Sequence, residues 1–229
     1  FTTITKSSLY QNQILYTGDT SSSRSITGVG FQPDLVWVKT RNAANPHLLS
    51  DAVRGTNNNL ASDSNAAAAV SYSQGWVSAF GADGYTAQAG SGGDNDINGN
   101  TNTYVAWNWK ANGAGSSNED GATSSTVSVD STSKFSIVQF TGTGSTTTVG
   151  HGLGVTPEMI IFKNTSSAVD WRVYHKALGN THRLCLNDNS ASSDDDSAFN
   201  DTSPTSTIFT VGGSTSTNAG TMIAYCFAS

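Results

Sequence analysis

One stretch of the sequence occurs twice and restricts the fold more than any other feature. Residues 30–39 read Gly-Phe-Gln-Pro-Asp-Leu-Val-Trp-Val-Lys, and residues 154–163 read Gly-Val-Thr-Pro-Glu-Met-Ile-Ile-Phe-Lys. The prolines of the two stretches, Pro33 and Pro157, are 157 − 33 = 124 residues apart, and the closing lysines have the same separation. The repeat predicts that the chain is a duplicated β-unit.

The apolar centre of each copy predicts a buried strand. Residues 35–38 and 159–162 are apolar without interruption, whereas a half-buried strand alternates between apolar and polar side chains. A short apolar run that is rich in β-branched and aromatic residues is typical of a strand covered on both faces. We therefore expect Trp37 and Phe162 to lie in the core, and Lys39 and Lys163 to mark the exits to solvent.

The last strand of each unit shows an alternating pattern. In the first unit Val105, Trp107 and Trp109 share one face of a strand, because side chains alternate with a period of two. The matching stretch at the end of the chain is 222–227, with the alternate residues 223, 225 and 227 expected on the core side. Its offset of 223 − 105 = 118 indicates that the second copy is six residues shorter before this strand.

Short strand patterns with turn residues between them recur along both halves, and long helical patterns are absent. This spacing is typical of β-sandwiches and jelly rolls. The sequence therefore predicts an all-β chain of two tandem, duplicated β-sandwich units, jelly-roll or concanavalin-like. We expect the first unit at 1–110, a Gly/Ser/Asn linker at 111–125 and the second unit at 126–229.

Composition narrows the class of protein. Charged residues make up only 12% of the chain, about half the usual share, and hydroxyl and amide side chains are abundant. This favours an extracellular or virion β-protein. The net charge of −6 argues against a nucleic-acid surface, and no apolar run is long enough for a membrane helix. No signal peptide is visible, and the first residue is Phe1, which favours a processed product or a piece of a longer chain.

The two cysteines leave two alternatives open. Cys185 and Cys226 both lie in the second half, and the matching positions of the first half, Ala61 and Asn108, are not cysteines. A disulfide between neighbouring strands and two buried free thiols both remain compatible with this pattern. The paired Cys/His spacing of a zinc site is lacking, so we expect no metal and no cofactor.

Catalytic patterns are weak throughout the sequence. There is no Gly-x-Ser-x-Gly elbow, and the four histidines are scattered. A glycosidase pair drawn from Asp34, Asp51, Asp83 or Glu158 is unspecific. The stretch 94–99 resembles the start of a calcium loop, but its twelfth position is a strand valine and flanking helices are absent. We expect a polar turn there, and no enzyme activity.

A ligand site is expected on loops, because loops held by a rigid β-sandwich usually carry binding. The polar, glycine-rich segment 90–102 and the aromatic residues before it are the candidates. The predicted ligand-binding residues are Tyr72, Trp76, Asp94, Asn95 and Asp96.

Several motifs together resemble a family of repeated β-rich domains in tail-fibre and appendage proteins of marine tailed bacteriophages. The resemblance implies a virion surface protein with concanavalin-like or related sandwich units, and it carries over no catalytic residue. The second copy has Thr-Ile-Phe where the first has Asp-Gly-Tyr. The motifs are Tyr-Thr-Gly at 16–18, residues 28–39, Asp-Ala-Val-Arg-Gly at 51–55, Asp-Gly-Tyr-Thr at 83–86, residues 104–110, Phe-Ser-Ile-Val at 135–138, residues 149–154 and Ala-Tyr-Cys-Phe-Ala at 224–228.

The resemblance leads to a functional hypothesis with alternatives. The first is a non-enzymatic tail fibre or other appendage that attaches the virion to glycan on the host cell surface. The second is a capsid decoration or head-fibre protein, and a polysaccharide depolymerase or a bacterial surface protein is less favoured. Expected partners are other virion proteins and a host glycan or receptor, with a homotrimer by analogy to phage appendages. Nucleic-acid binding and membrane insertion are not expected, and the expected location is the virion surface.

Overall fold

The computed structural model describes residues 4–92 and 95–229, and they form an all-β fold of two compact units. The N-terminal unit comprises Ala68–Gly113 and the described residues up to Ser62. The C-terminal unit comprises Asp63–Ala67 and Ala114–Ser229. No helix in the described ranges has the length and apolar character needed to cross a membrane.

The N-terminal unit is built from two antiparallel sheets. A six-stranded sheet has the order β1-β9-β3-β4-β5-β6, and a three-stranded sheet has the order β2-β8-β7. The strands are β1 Gln11–Thr17, β2 Ser23–Thr27, β3 Leu35–Thr40, β4 Leu48–Asp51, β5 Asn58–Ala61, β6 Ala69–Val70, β7 Trp76–Gly81, β8 Gly84–Gln88 and β9 Thr103–Trp109.

The core of this unit lies between its two sheets. β3 and β9 contribute Val36, Val38, Tyr104 and Ala106, all of them at most 1% exposed. The three-stranded sheet contributes Ile26, Val77, Tyr85 and Ala87 from the other side. Because side chains alternate along a strand, Trp37, Trp107 and Trp109 are on the opposite face of the six-stranded sheet. The expectation that Trp37 lies in the core is therefore wrong.

The C-terminal unit contains an eight-stranded sheet, β10-β11-β12-β19-β14-β15-β16-β17, and a two-stranded sheet, β13-β18. Its elements are β10 Ser116–Asn118, β11 Ser125–Asp130, β12 Phe135–Thr143, β13 Thr147–Gly150, β14 Met159–Asn164, β15 Arg172–His175, β16 Gly179–Cys185, β17 Ser193–Asp194, helix α1 Asp196–Phe199, β18 Ile208–Val211 and β19 Ala219–Phe227.

A second core packs the large sheet against β13, β18 and α1. β19 contributes Met222, Ala224 and Cys226, while Phe199 and Phe209 come from the opposite side. The alternate residues of β19, at 223, 225 and 227, therefore face away from this core, contrary to expectation. The pattern identified which residues share a face, but both faces of β19 are largely buried, so it did not identify the inner face.

The two large sheets have the same strand order over six positions. The run β1-β9-β3-β4-β5-β6 corresponds to β12-β19-β14-β15-β16-β17, and the C-terminal unit adds β10 and β11 beside β12. The prediction of an all-β sandwich fold is confirmed. The duplication of the sequence stays a prediction, as do the jelly-roll and concanavalin-like subtypes.

Two local expectations change in the structure, and one question left open by the sequence is answered. Residues 111–125, expected as a linker, include β10, because its backbone groups pair with β11. Lys163 does not mark an exit to solvent, since it is fully buried at the end of β14. Cys185 and Cys226 are both free thiols, which excludes the disulfide alternative, but only Cys226 is buried and Cys185 is partly exposed.

Candidate functional site

Three tryptophans form a pocket on the outer face of the six-stranded sheet, which we call the tryptophan pocket. Trp37 on β3 is directly opposite Trp107 on β9, and their ring centroids are 6.2 Å apart with planes at 66°. Trp109 lies two residues further along β9, with its centroid 6.5 Å from that of Trp37. The three indoles line a cavity of about 280 Å³, with almost no polar surface.

The core side of the same strands fixes the positions of these indoles. Val36 and Val38 flank Trp37 in sequence and are buried between the sheets, while Tyr104 and Ala106 anchor β9. The backbone beneath the pocket is therefore held in regular strand geometry. A ligand on the three indoles would meet a preformed surface rather than a mobile loop.

Amide side chains border the tryptophan pocket on the neighbouring strand. Gln13 of β1 is opposite Trp107, and Gln11 is opposite Trp109. Gln13 Nε2 donates to Gln11 Oε1 at 2.9 Å, so the two exposed amides form one connected polar edge. Each amide retains further hydrogen-bonding capacity, because it carries two N–H donors and a carbonyl acceptor.

The lysines near this face are engaged elsewhere. Lys39 Nζ donates to the carbonyl oxygens of Ala43 at 3.1 Å and Asn45 at 3.0 Å. Lys110 Nζ lies 5.6 Å from the centre of the Tyr10 ring, in a cation–π arrangement. The pocket lining itself carries no charged side chain. The arrangement thus suits a neutral ligand with one apolar face and polar groups at its edge.

The structure brings together most of the binding residues predicted from sequence. Tyr72 and Trp76 flank a turn whose Gln74 contacts the following polar loop. Gln74 O accepts the Asp96 N–H at 3.4 Å, and Asn95 Nδ2 donates to Gln74 Oε1 at 3.4 Å. Asp94, the remaining predicted residue, lies outside the described residues. Ligand binding by this cluster stays a prediction.

The loop that contains Asn95 and Asp96 is packed rather than open. Tyr104 Oη donates to Asn95 O at 2.6 Å, and Tyr16 Oη donates to Ile97 O at 2.7 Å. Asp96 is only 3% exposed and Asn98 is fully buried. The backbone carbonyl oxygens of Asn95 and Ile97 are therefore hydrogen-bonded within the unit, and they hold the loop against β1 and β9. This agrees with the expected polar turn.

The four carboxylates considered for a glycosidase pair each have a structural partner. Asp34 accepts the Ala111 N–H at 2.7 Å, and Asp51 pairs with the Arg54 guanidinium at 2.6 Å. Asp83 accepts two glycine N–H groups, from Gly28 and Gly30, and these bonds lower the pKa of its carboxyl. Glu158 pairs with Lys176 Nζ at 2.9 Å. These groups hold turns and strand ends in place.

One cluster in the C-terminal unit has the residue types of a metal site. Ligand atoms of Asp170, Cys185 and Asp188 lie within 4.8 Å of one another. However, the guanidinium groups of Arg172 and Arg183 contact Cys185 Sγ at 2.7 Å and 3.1 Å. Burial raises the pKa of the Cys185 thiol, which the two arginines oppose. Two cations beside a protonated thiol disfavour a metal ion, so the cluster is an ion-pair network.

The tryptophan pocket was not predicted from the sequence. Trp37 was expected in the core, and Trp107 and Trp109 were not among the predicted ligand-binding residues. The available signal in the sequence was that Trp107 and Trp109 share one face of a strand; the pairing of that strand with Trp37 is visible only in the structure. Without knowledge of which face is inward, that pattern was compatible with an ordinary core.

Comparison with protein families matches residues 6–229 to a family described as a domain of unknown function (DUF7483). No curated protein and no solved structure matches the chain. The matched range runs from the turn before β1 to the end of the chain and includes both units. The family is therefore defined over the two units together.

Proposed function

This chain belongs to the DUF7483 domain family, and we propose that it is a non-enzymatic virion protein that binds glycan on the host cell surface. The tryptophan pocket is the proposed contact site. The protein is part of a tail fibre or other appendage of a tailed phage, and its partners are other virion proteins and the host glycan.

The observation that carries this proposal is the preformed aromatic pocket on a rigid sheet. Indole rings pack well against the C–H face of a sugar ring, because such a face is apolar although its edge is rich in hydroxyls. Burial of apolar surface contributes roughly 25 cal/mol per Å², so three indoles supply a useful share of a glycan's affinity. Gln11 and Gln13 are placed to hydrogen-bond the hydroxyls at that edge.

The proposed location on a virion has a different kind of support. The sequence resembles repeated β-rich domains of phage appendages, and its low content of charged residues is typical of extracellular β-proteins. The all-β units give a rigid scaffold for a surface protein. Trimer formation is proposed by analogy to phage appendages alone.

The binding proposal is tested by replacing one indole of the pocket. Trp107→Ala is expected to weaken binding to host cells or to their purified surface polysaccharide by about ten-fold or more, since fully buried aromatic contacts dominate such sites. Trp76→Ala is the comparison variant, because it removes an aromatic residue of the alternative cluster on the other sheet, and it is expected to keep binding. Thermal melting of both variants checks that the fold is intact.

The opposite result would identify a different site. If Trp107→Ala binds like the unmodified protein and Trp76→Ala loses binding, the tryptophan pocket is not the glycan site. The cluster of Tyr72, Trp76, Asn95 and Asp96 would then take its place.

The proposed location is tested by antibody-gold labelling of the source particles under the electron microscope. Gold at the tail or its fibres supports an attachment protein, whereas gold over the head supports a decoration protein. Absence of label on particles contradicts the virion proposal.

The proposed absence of enzymatic activity is tested separately with the purified protein. Release of fragments from host polysaccharide would contradict the non-enzymatic role.

A further inference from the structure

A second depression lies on the C-terminal unit and differs in chemistry from the tryptophan pocket. It has a volume of about 420 Å³, within the range of small-ligand sites. We call it the hydroxyl groove. Seven of its eight lining residues are of a type that carries a hydroxyl or amide group, and the eight are Ser117, Ser124, Ser125, Thr126, Gln139, Phe140, Thr141 and Thr221.

Strand pairing arranges these polar groups in rows across the sheet. Thr126 of β11 is opposite both Ser117 of β10 and Gln139 of β12. In a neighbouring row on the same face, Thr141 of β12 is opposite Thr221 of β19. Neighbouring strands are about 4.8 Å apart, so the rows place hydrogen-bonding groups at regular intervals across the groove.

The opposite side of the same strands is the core of the unit. Val127, Val138 and Met222 are at most 5% exposed and hold β11, β12 and β19 against the other layer. The floor of the groove is therefore as firmly placed as the floor of the tryptophan pocket.

Several groups in the hydroxyl groove retain hydrogen-bonding capacity. The side chains of Thr126, Gln139, Thr141 and Thr221 make no hydrogen bond to any part of the chain that the structure describes. Ser117 Oγ donates to Glu119 Oε1 at 2.7 Å, and Ser124 Oγ donates to Glu119 Oε2. Both serine oxygens are thereby oriented with their lone pairs available as acceptors. The groove offers both donors and acceptors.

Charge limits the class of ligand. No lining residue is cationic, and the hydrogen bonds from Ser124 and Ser117 lower the pKa of the Glu119 carboxyl. That carboxylate is ionised near neutral pH and repels an anionic ligand. Phosphates, sulfates and uronic acids are therefore disfavoured, whereas a neutral, polyhydroxylated ligand satisfies the free groups.

We propose that the hydroxyl groove is a second ligand-binding site, and that it takes a segment of a neutral oligosaccharide. The site is independent of the tryptophan pocket, since it lies on a different unit and uses hydrogen bonds rather than aromatic contacts. Loss of ligand binding at the tryptophan pocket would therefore leave binding at the hydroxyl groove intact, and the reverse also holds.

The test uses the full chain labelled with ¹³C at the threonine methyl groups. It is titrated with neutral hexasaccharides of glucose, galactose, mannose and N-acetylglucosamine, and with a galacturonic acid hexasaccharide as the acidic probe. At least one neutral sugar is expected to shift the methyl signals of Thr126, Thr141 and Thr221, while the acidic probe leaves them unchanged. Trp107→Ala is expected to preserve these shifts.

Two substitutions then test the contacts. Thr221→Val keeps the shape of the side chain and removes the hydroxyl, and Gln139→Ala removes the amide. Each is expected to weaken binding about five-fold, the effect of one typical hydrogen bond. Thr27→Val, an exposed position of β2 in the N-terminal unit, is the matched control and leaves binding unchanged.

Three results would overturn the proposal. The first is no methyl shift at the groove with any neutral hexasaccharide at millimolar concentration. The second is equal binding of the acidic probe, and the third is an equal loss of affinity in Thr27→Val.

Discussion

Lys163 shows how a single residue can be buried with its charge. It is fully buried, and the three N–H donors of its ammonium are shared among four backbone carbonyl oxygens at 2.8–3.3 Å, those of Asn65, Asn164, Ser167 and Val169. Burial lowers the pKa of Lys163 to about 8, so the group remains largely charged at pH 7. The carbonyls replace the water that the ammonium loses, and the ammonium in turn satisfies their acceptors.

Replacement of this lysine by methionine is expected to destabilise the fold. Lys163→Met leaves several buried carbonyls without a donor, so the free energy of unfolding should fall by roughly 2–4 kcal/mol. Lys39→Met is the matched control, because the corresponding lysine of the N-terminal unit contacts only two carbonyls and is half-buried. Urea unfolding at pH 7 measures both variants, and equal losses would contradict the role assigned to Lys163.

His151 gives the protein a predictable response to acid. The side chain is fully buried, its Nδ1 accepts the Leu153 N–H at 3.2 Å, and its Nε2 lies 3.3 Å from Thr205 O. Burial lowers the pKa of His151 below its usual 6.5, although the Thr205 carbonyl and Asp120 oppose this shift. The neutral ring, with its proton on Nε2, fits both contacts.

The sign of the pH effect follows from the lowered pKa of His151. Below pH 6.5 the unfolded chain takes up a proton that the folded protein resists, so stability falls as pH decreases. The slope is at most about 1.4 kcal/mol per pH unit. Urea midpoints at pH 7.5 and 5.5 should differ less for His151→Gln, whose amide replaces both contacts without titrating. A pH dependence that is identical in the variant would exclude His151 as its source.

At the scale of elements, the sequence predicted the strands better than their faces. The apolar runs before Lys39 and Lys163 are the buried strands β3 and β14, and the Asp-Gly motif at 83–84 lies at the tight turn that joins β7 to β8. These features are local, because a turn signal or an apolar run acts through its own backbone. Such strands and turns can therefore be predicted from the sequence without knowledge of the partner strands.

The sequence did not predict which face of β9 and of β19 packs into the core. Alternation defines two sets of side chains on each strand, but the packing of the second sheet decides which set becomes the core. In β9 the smaller set, with Tyr104 and Ala106, faces inward, and the larger tryptophans form the outer pocket. Residue size alone favoured the opposite assignment.

The predicted loop site illustrates a second limit. Composition identified 90–102 as polar and glycine-rich, which is typical of a binding loop, but it did not show that the loop's own carbonyls are bonded by Tyr16 and Tyr104. Those tyrosines are distant in sequence or belong to β9. The hydroxyl groove could not be predicted from the sequence for a related reason. Its rows of polar side chains form only when β10, β11, β12 and β19 pair in one sheet.

For the molecule as a whole, the boundary of the C-terminal unit does not follow the order of the chain. Asp63–Ala67, which connects β5 to β6, belongs to this unit. Trp171 is fully buried, and its Nε1 donates to Ser64 O at 3.0 Å. Lys163 Nζ donates to Asn65 O of the same segment at 3.1 Å. A unit cut from the chain at residue 114 therefore lacks two of its acceptors.

This arrangement predicts the behaviour of the fragment 114–229. The fragment is expected to keep its β-sheet signal but to be less stable by about 1–3 kcal/mol than the same fragment joined to Asp63–Ala67 through a flexible linker. Trp171 is the only tryptophan in either version, so its fluorescence reports on the site directly. Acrylamide should quench it more strongly in the fragment alone, because the indole N–H has lost its acceptor and gains water. Equal quenching and equal urea midpoints would mean that the segment lies against the unit without stabilising it, and that the residues after 113 suffice for the fold.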